Sequence, residues 1–194
     1  MTDMYIGIDE AGRGPLAGPV AVGIVMVPYT FDVTKEFPGI ADSKALSEKK
    51  REELFERLAL LHHKGALRYT VAFSLASTID QVGITKAVTR ALRRGIHRLA
   101  PEPRSTYILL DGLLHAPSRY KQRTIIGGDR IEPIISLASI AAKVRRDRLM
   151  RRLGKKFPVY SFELHKGYGT DLHRGAIKQF GLCAIHRKSF CHNF

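Results

Sequence analysis

The stretch MYIGIDEAGRGPLAGPVAVGIVMVP (residues 4–28) sets two apolar runs on either side of a Gly/Pro-rich turn. In MYIGID (4–9), Met4, Ile6 and Ile8 face one way and Tyr5, Gly7 and Asp9 the other, which is the alternation of a strand. The run ends on two carboxylates, Asp9 and Glu10. AGRGPLAGP (11–19) reads as a turn, and VAVGIVMVP (20–28) as a buried second strand stopped by Pro28. Two strands joined by so short a link run antiparallel.

Working outward, residues 29–46 read as an irregular connection. Ser47 is placed to N-cap a helix over 47–63, with Leu54, Leu58 and Leu61 at helical spacing and Gly65 at its end. LRYTVAFSLA (67–76) alternates as a third strand, completing an antiparallel meander with a helix inserted before its last member. A long amphipathic helix follows over 78–99, with Ile84, Ala87, Val88, Ala91, Leu92 and Ile96 on one face, and PEP (101–103) breaks it. STYILLDG (105–112) and RTIIGGD (123–129) read as strands ending at Asp111 and Asp129. A helix over 136–153 is stopped by Gly154, and two shorter helical stretches fill the tail. The order β-β-(α)-β-α-β-β-α predicts an α/β fold with a mixed five-stranded sheet flanked by helices. No internal repeat, low-complexity segment or linker divides the chain.

The 194 residues, 44% apolar and 26% charged, suit one domain and argue against a disordered chain. Lys and Arg number 32 against 18 Asp and Glu, a net charge of +14. A domain this basic meets a polyanion, nucleic acid first, the plain alternative being a solubilising surface. Residues 130–194 hold 14 basic and 4 acidic side chains, a net of +10, so that third is the expected polyanion-facing surface. Two cysteines, Cys183 and Cys191, make no disulfide framework. The start MTDMYIGIDEAG has no signal-peptide pattern, and no apolar run reaches the roughly 18 residues of a membrane span. The expectation is a reduced, cytoplasmic protein that does not enter a membrane.

Three strand ends carry acids: Asp9-Glu10, Asp111 and Asp129. A single such Asp is more often a turn residue or a helix cap. Several carboxylates beside a core repel one another unless cations neutralise them. Mg²⁺ bound by oxygen ligands is the natural solution, and two ions about 4 Å apart hold both the attacking water and the leaving oxygen in phosphodiester hydrolysis. Adjacent Asp9 and Glu10 point to opposite faces of a regular strand, so both reach one site only if the strand ends or bends there, and Gly12 and Gly14 can provide that bend.

Three further elements bear on substrate. Gly12-Arg13-Gly14 lets backbone groups approach a ligand, or is an ordinary tight turn. SLASIAAK (136–143) combines small residues with a helix start; it serves phosphate binding, close helix–sheet packing, or both, and Lys143 is placed to meet phosphate. HKGYGT (165–170) leaves Tyr168 open to stack on a base or sugar, though such a segment alone is more often a turn. The cations Arg145, Arg146, Arg148, Arg151, Arg152, Lys155 and Lys156 read as a solvated helix face. Asp147 is expected to pair with neighbouring arginines and Asp171 to cap a helix.

Together these blocks resemble bacterial ribonuclease HII. The carriers are GIDEAGRGPLAGPV (7–20), DSKALS (42–47), ILLDG (108–112), GGD (127–129), SLASIAAKVRRDR (136–148), HKGYGT (165–170) and HRKSF (186–190), in family order along the chain. The resemblance implies a ribonuclease H-like fold with a helical C-terminal extension, about 1–130 forming the sheet core and about 131–194 the basic extension of a single domain. It implies a metal-dependent endonuclease that cleaves RNA in RNA–DNA hybrids and incises 5′ to ribonucleotides embedded in duplex DNA, the first step of their excision. The ends would be 3′-hydroxyl and 5′-phosphate, the metal Mg²⁺ or Mn²⁺, and the protein a monomer with no obligate protein partner. Asp9, Glu10, Asp111 and Asp129 match the family's catalytic and metal-binding acids. Gly12, Arg13 and Gly14 match the loop that senses the ribose 2′-hydroxyl, and Tyr168 the tyrosine that stacks on the sugar at the ribo-to-deoxyribo junction. Lys44, Ser139 and Lys143 fall in blocks that look like phosphate contacts. The chain departs from the pattern at AVGIVMV (21–27), SLASI (136–140), Gly83 and Asp171, none of which touches the acids. The eight residues before Asp9, and Arg13 in the loop, favour this family over the related ribonuclease HIII, which resembles it but carries an extra N-terminal domain and a GKG-type loop. No clamp-binding tail is expected after HRKSF.

Two other classes compete. A non-catalytic nucleic-acid-binding module predicts salt-sensitive binding without cleavage, but four acids weaken plain phosphate binding. A structural zinc site at Cys183, His186, Cys191 and His192 has the right residue types at a cramped spacing, C-x₂-H-x₄-C-H, so two unlinked thiols are the favoured reading.

Overall fold

The computed structural model describes residues 3–40 and 46–192. Five strands, β1 (Met4–Ala11), β2 (Val20–Pro28), β3 (Arg68–Ser74), β4 (Thr106–Asp111) and β5 (Lys121–Ile125), form one mixed sheet in the order β3-β2-β1-β4-β5. β1, β2 and β3 pair antiparallel, and β1, β4 and β5 parallel. The turn over 12–19 can only reverse the chain, whereas the helices between β3 and β4 return it in the direction of β1.

Helices α1 (Val33–Glu36), α2 (Glu48–His63), α3 (Ala76–Val82), α4 (Ile84–Leu99), α5 (Gly128–Ile131), α6 (Pro133–Lys156), α7 (Phe162–His165) and α8 (Asp171–Phe180) surround the sheet. The expected alternation in β1 holds. Ile6 and Ile8 pack with Val22 and Ile24 against Ala91, Leu92 and Ile96 of α4. On the other face, Val25 and Val27 pack against Leu137, Ala138 and Ala141 of α6 and Leu54 and Leu58 of α2. Ser47 accepts from the Lys50 N–H at 3.2 Å and caps α2 as its sequence predicts.

Two glycines fix how close α6 lies. A Cβ on Gly7 would stand 2.3 Å from the Ile134 carbonyl oxygen, and one on Gly23 would stand 2.1 Å from that of Ala138. The small-residue helix start therefore serves close packing, with the glycines on the sheet side of the contact.

Several boundaries differ from expectation. The helix predicted over 78–99 is two, because Gly83 at φ +79° ends α3 and begins α4. α6 runs past Gly154 to Lys156. Gly154 lies close to the backbone of α7, where its Cβ would stand 3.0 Å from the Glu163 nitrogen. The last strand ends at Ile125 rather than at Asp129. Thr170 caps α8, accepting from the His173 N–H at 3.3 Å, and Asp171 is the first helical residue instead of the cap. Because α6 covers the sheet, the segment standing outside the sheet layers starts at Phe157. That segment builds a third cluster, in which Tyr160, Phe162 and Ile177 close over Leu16, Ala17 and Met150. No helix among the described residues is long and apolar enough to cross a membrane.

Candidate active site

β1 neither stops nor bends at Asp9 and Glu10. It continues to Ala11, with Asp9 opposite Gly23, Glu10 opposite Val22 and Ala11 opposite Ala21. The strand therefore ends one residue past Glu10, and the chain bends only after it, at Arg13 and Gly14. The pairing of β1 with β4 ends at Ile8 and Leu110, so the last turn of β1 has an open edge. Asp111, the final residue of β4, stands at that opening and repels both Asp9 and Glu10.

Burial pushes the Asp9 carboxyl up from 3.8 to about 7; a hydrogen bond from Ser139 opposes this, while the charges of Glu10 and Asp111 add to it. Burial also raises Glu10, against the pull of the Arg13 guanidinium 3.3 Å away, and Asp111 raises it further. Asp129 is delivered by a different device from the expected strand end. The chain turns at Gly127, at φ +67°, and Asp129 sits in the single turn of α5, 2% exposed. Its N–H donates to Asp111 Oδ1 at 3.4 Å, and Ser136 Oγ donates to its carbonyl at 2.7 Å.

This donor set is all oxygen, and the Asp111 charge raises the pKa of both Asp9 and Glu10, which suits a hard divalent cation. Among the described residues no three acids, histidines or cysteines are drawn close enough to cage an ion as they stand. The sign of the Asp9 shift gives a test in chelator. The raised carboxyl contributes stability that is whole below its ordinary pKa and is lost as pH rises from about 4 through about 7. The thermal midpoint of the metal-free protein is expected to fall over that window. In Asp9→Asn the fall flattens; an equal slope in the two proteins refutes the assignment.

Glu10 borders two hollows. One is lined also by Gly12, Ser139, Lys143 and Tyr168, the other by Arg13, Thr85, Thr89, Arg93 and His115. Most of the expected substrate residues thus gather round one acid. Three of them are engaged within the protein: Arg13 with Glu10 at 3.3 Å, Ser139 with Asp9, and Lys143 with the buried Asp147 at 2.9 Å. Asp147 thus pairs with Lys143 rather than with the neighbouring arginines. Tyr168 is half exposed, with the Arg146 guanidinium 5.9 Å from its ring centre. Lys44 lies outside the described residues.

The basic helix face is less free than its sequence suggests. Arg148 pairs with Glu52 and Glu56, and Arg151 with Glu48 and Glu52, tying α6 to α2. Arg146 is 1% exposed and donates to the carbonyls of Pro19 at 2.9 Å and Ala17 at 3.3 Å. A signal for it existed: Ala138, Ala142, Arg146 and Met150 repeat every four residues, so Arg146 lies on the buried stripe of α6.

The tail docks on the turn between β1 and β2. Gly167 accepts from the Leu16 N–H at 2.8 Å, the Gly18 N–H donates to Ile185 at 2.8 Å, and the Arg187 N–H donates to Leu16 at 2.8 Å. Two imidazoles, whose pKa burial lowers, link in series to the Tyr168 carbonyl. The Cys183 N–H donates to His186 Nδ1 at 2.9 Å, His186 Nε2 meets His173 Nε2 at 3.0 Å, and His173 Nδ1 meets the Tyr168 carbonyl at 2.9 Å. Both ring nitrogens of His186 are thus engaged, which withdraws it from any zinc site with Cys183 and Cys191.

A five-stranded mixed sheet of this order, with acids grouped at the end of its first and fourth strands, defines a ribonuclease H-like protein. The ribonuclease HII of Archaeoglobus fulgidus, solved with PCNA, superimposes with a TM-score of 0.75 at 27% identity, covering 95% of this chain and 93% of that one. A Bst ribonuclease HIII solved with Mn²⁺ shares the fold, with a TM-score of 0.76 at 17% identity over 98% of this chain and 68% of that one. The family model for ribonuclease HII matches residues 6–193. Ribonucleases HII of Syntrophotalea carbinolica and Ruminiclostridium cellulolyticum are 44% and 46% identical over 95% and 97% of this chain, which is 83% and 70% of theirs. The chain belongs to the ribonuclease HII family and is a ribonuclease H endonuclease.

Proposed function

We propose that this single-domain enzyme acts on two substrates, cleaving RNA in RNA–DNA hybrids and incising 5′ to ribonucleotides embedded in duplex DNA. The products carry 3′-hydroxyl and 5′-phosphate ends, as the excision of ribonucleotides from DNA requires. The observation that carries this reading is that Asp111, at the open edge of β1, lies near enough to Asp9 and Glu10 to raise the pKa of both, beside the loop of Gly12, Arg13 and Gly14.

Asp9, Glu10, Asp111 and Asp129 would hold Mg²⁺ or Mn²⁺. When bound, the metal supplies activation of water and neutralisation of the leaving oxygen. Ser139 orients the Asp9 carboxylate, and Arg13 restrains Glu10. Lys143, anchored by Asp147, presents one positive charge to the phosphate backbone. Tyr168, open on one side and backed by Arg146, offers a ring face to the sugar at the junction. Gly14, exposed and with open space where a Cβ would stand, keeps a side chain out of the path of the ribose. Lys44 belongs with the phosphate contacts by the position of DSKALS in the chain. The enzyme is read as a cytoplasmic monomer.

The test is duplex DNA with one embedded ribonucleotide, incubated with Mg²⁺, Mn²⁺ or EDTA. Incision 5′ to the ribonucleotide is expected with either metal and none with EDTA. Cleavage that survives EDTA, or binding with no cleavage under any condition, refutes the reading.

A further inference from the structure

Arg187 is fully buried although it carries a guanidinium. Its nitrogens all donate to one loop. Nη2 reaches the Gly12 carbonyl at 2.7 Å, Nη1 the Arg13 carbonyl at 2.7 Å, and Nε the Gly18 carbonyl at 3.0 Å. Burial, with the neighbouring Arg146 charge, pulls its pKa down to about 9. A cation held at that cost among carbonyl dipoles, where an apolar side chain would fill the space more cheaply, points to a geometric task.

The peptide plane shows what the task is. No peptide bond in the described chain is cis. Across a trans peptide, the carbonyl of one residue and the N–H of the next point in opposite directions. Holding the carbonyls of Gly12 and Arg13 toward the buried guanidinium therefore turns the N–H groups of Arg13 and Gly14 away from it. Both residues are exposed. Gly14 carries a second sign. It has no left-handed φ, and a Cβ there would meet nothing within 4 Å. Neither backbone conformation nor protein packing requires glycine at this position, so the space it leaves lies on the ligand side. Gly12 is constrained from below: at φ +90°, its Cβ would stand 2.0 Å from Arg146 Nε.

We propose that Arg187 is a positioning residue for substrate discrimination. By fixing two carbonyls inward, it presents the Arg13 and Gly14 N–H groups as a paired donor site for the 2′-oxygen of the ribose. This rests on the reading of Gly12-Arg13-Gly14 as the ribose-facing loop. The competing role is a staple that merely fastens the tail to the core.

The experiment compares the wild type and Arg187→Lys on duplexes with one ribonucleotide, carrying either a 2′-hydroxyl or a 2′-fluoro group, a poor acceptor. A lysine keeps the charge and loses the fork. On the 2′-hydroxyl substrate, kcat is expected to fall about 100-fold, as when one preorganised donor is lost, with KM within about threefold. On the 2′-fluoro substrate the fall is about tenfold or less, because that substrate never used the donors fully. Equal slowing on both substrates, or an unchanged kcat in the folded variant, overturns the proposal.

If the variant does not fold, amide and guanidinium NMR of the wild type decides. The Arg187 Nη protons are expected to be protected from exchange and coupled to the Gly12 and Arg13 carbonyl carbons. The Arg13 and Gly14 amides are expected to shift when hybrid is added in EDTA. Exchanging guanidinium protons or unmoved amides overturn the proposal. A wild type that does not incise at all refutes the function proposed above, and these spectra, which need no turnover, still judge Arg187.

Discussion

Asp111→Asn is expected to lower turnover by on the order of 10³-fold or more while leaving hybrid binding in EDTA nearly unchanged. The Asp111 charge raises Asp9 and Glu10 together from the end of β4. The amide keeps the shape, and its oxygen still accepts from the Asp129 N–H. The variant removes one negative charge from a site that needs charge to hold a cation, and nothing from the core. In the metal-free state it relieves repulsion, so its thermal stability is expected to equal or exceed that of the wild type. Single-turnover cleavage, binding in EDTA and a thermal melt together check this. Unchanged cleavage sinks the assignment of the acids, and a large drop in the melting point shows that Asp111 is a fold residue instead.

Gly23→Ala is expected to act on stability and site together. The new Cβ would stand 2.1 Å from the Ala138 carbonyl oxygen and 3.0 Å from the Ala142 nitrogen, both backbone atoms of α6. No rotamer relieves such a contact, so α6 must lift from the sheet. Overpacking of this kind costs about 3 kcal/mol, at the upper end of its usual range, and lowers the melting point by roughly 10 °C in a chain of this size. The effect reaches the chemistry because Gly23 pairs across the sheet with Asp9, and Ser139, next to Ala138, holds the Asp9 carboxylate. Activity below the melting point is expected to fall as well. Gly175→Ala is the control. It lies inside α8 with open space around it, so replacement is expected to raise stability by about 0.5–1 kcal/mol through helix propensity. Equal melting points for Gly23→Ala and wild type would mean that α6 does not press on the sheet at Gly23.

Much of this was legible in one dimension. The period-two alternation of 4–9 assigned Ile6 and Ile8 to one face, and the turn over 11–19 required β2 to run back along β1. Strand ends near Asp9 and Asp111 placed carboxylates beside a core, where their cost is high enough to signal a task. Asp129 escaped that logic because Gly127 and Gly128 let the chain turn into α5 before the acid is reached. Arg187 had no periodicity to mark it, since it sits in an irregular segment whose hydrogen-bond partners lie about 170 residues away in the chain.

The sequence by itself determined the strand order of the meander, the mixed sheet and the minority acids that turn a basic chain toward phosphodiester chemistry. These depend on local periodicity and on the expense of isolated charge, both readable along the chain. Only the tertiary structure decided how Asp9 and Glu10 both come to feel the Asp111 charge, at the opening where the pairing of β1 with β4 stops. It also decided which cations face solvent, since Arg146 and Arg187 spend theirs inside on carbonyls while Arg148 and Arg151 meet the acids of α2. Such choices turn on which distant backbone groups are left needing a partner, and that is settled only when the elements pack.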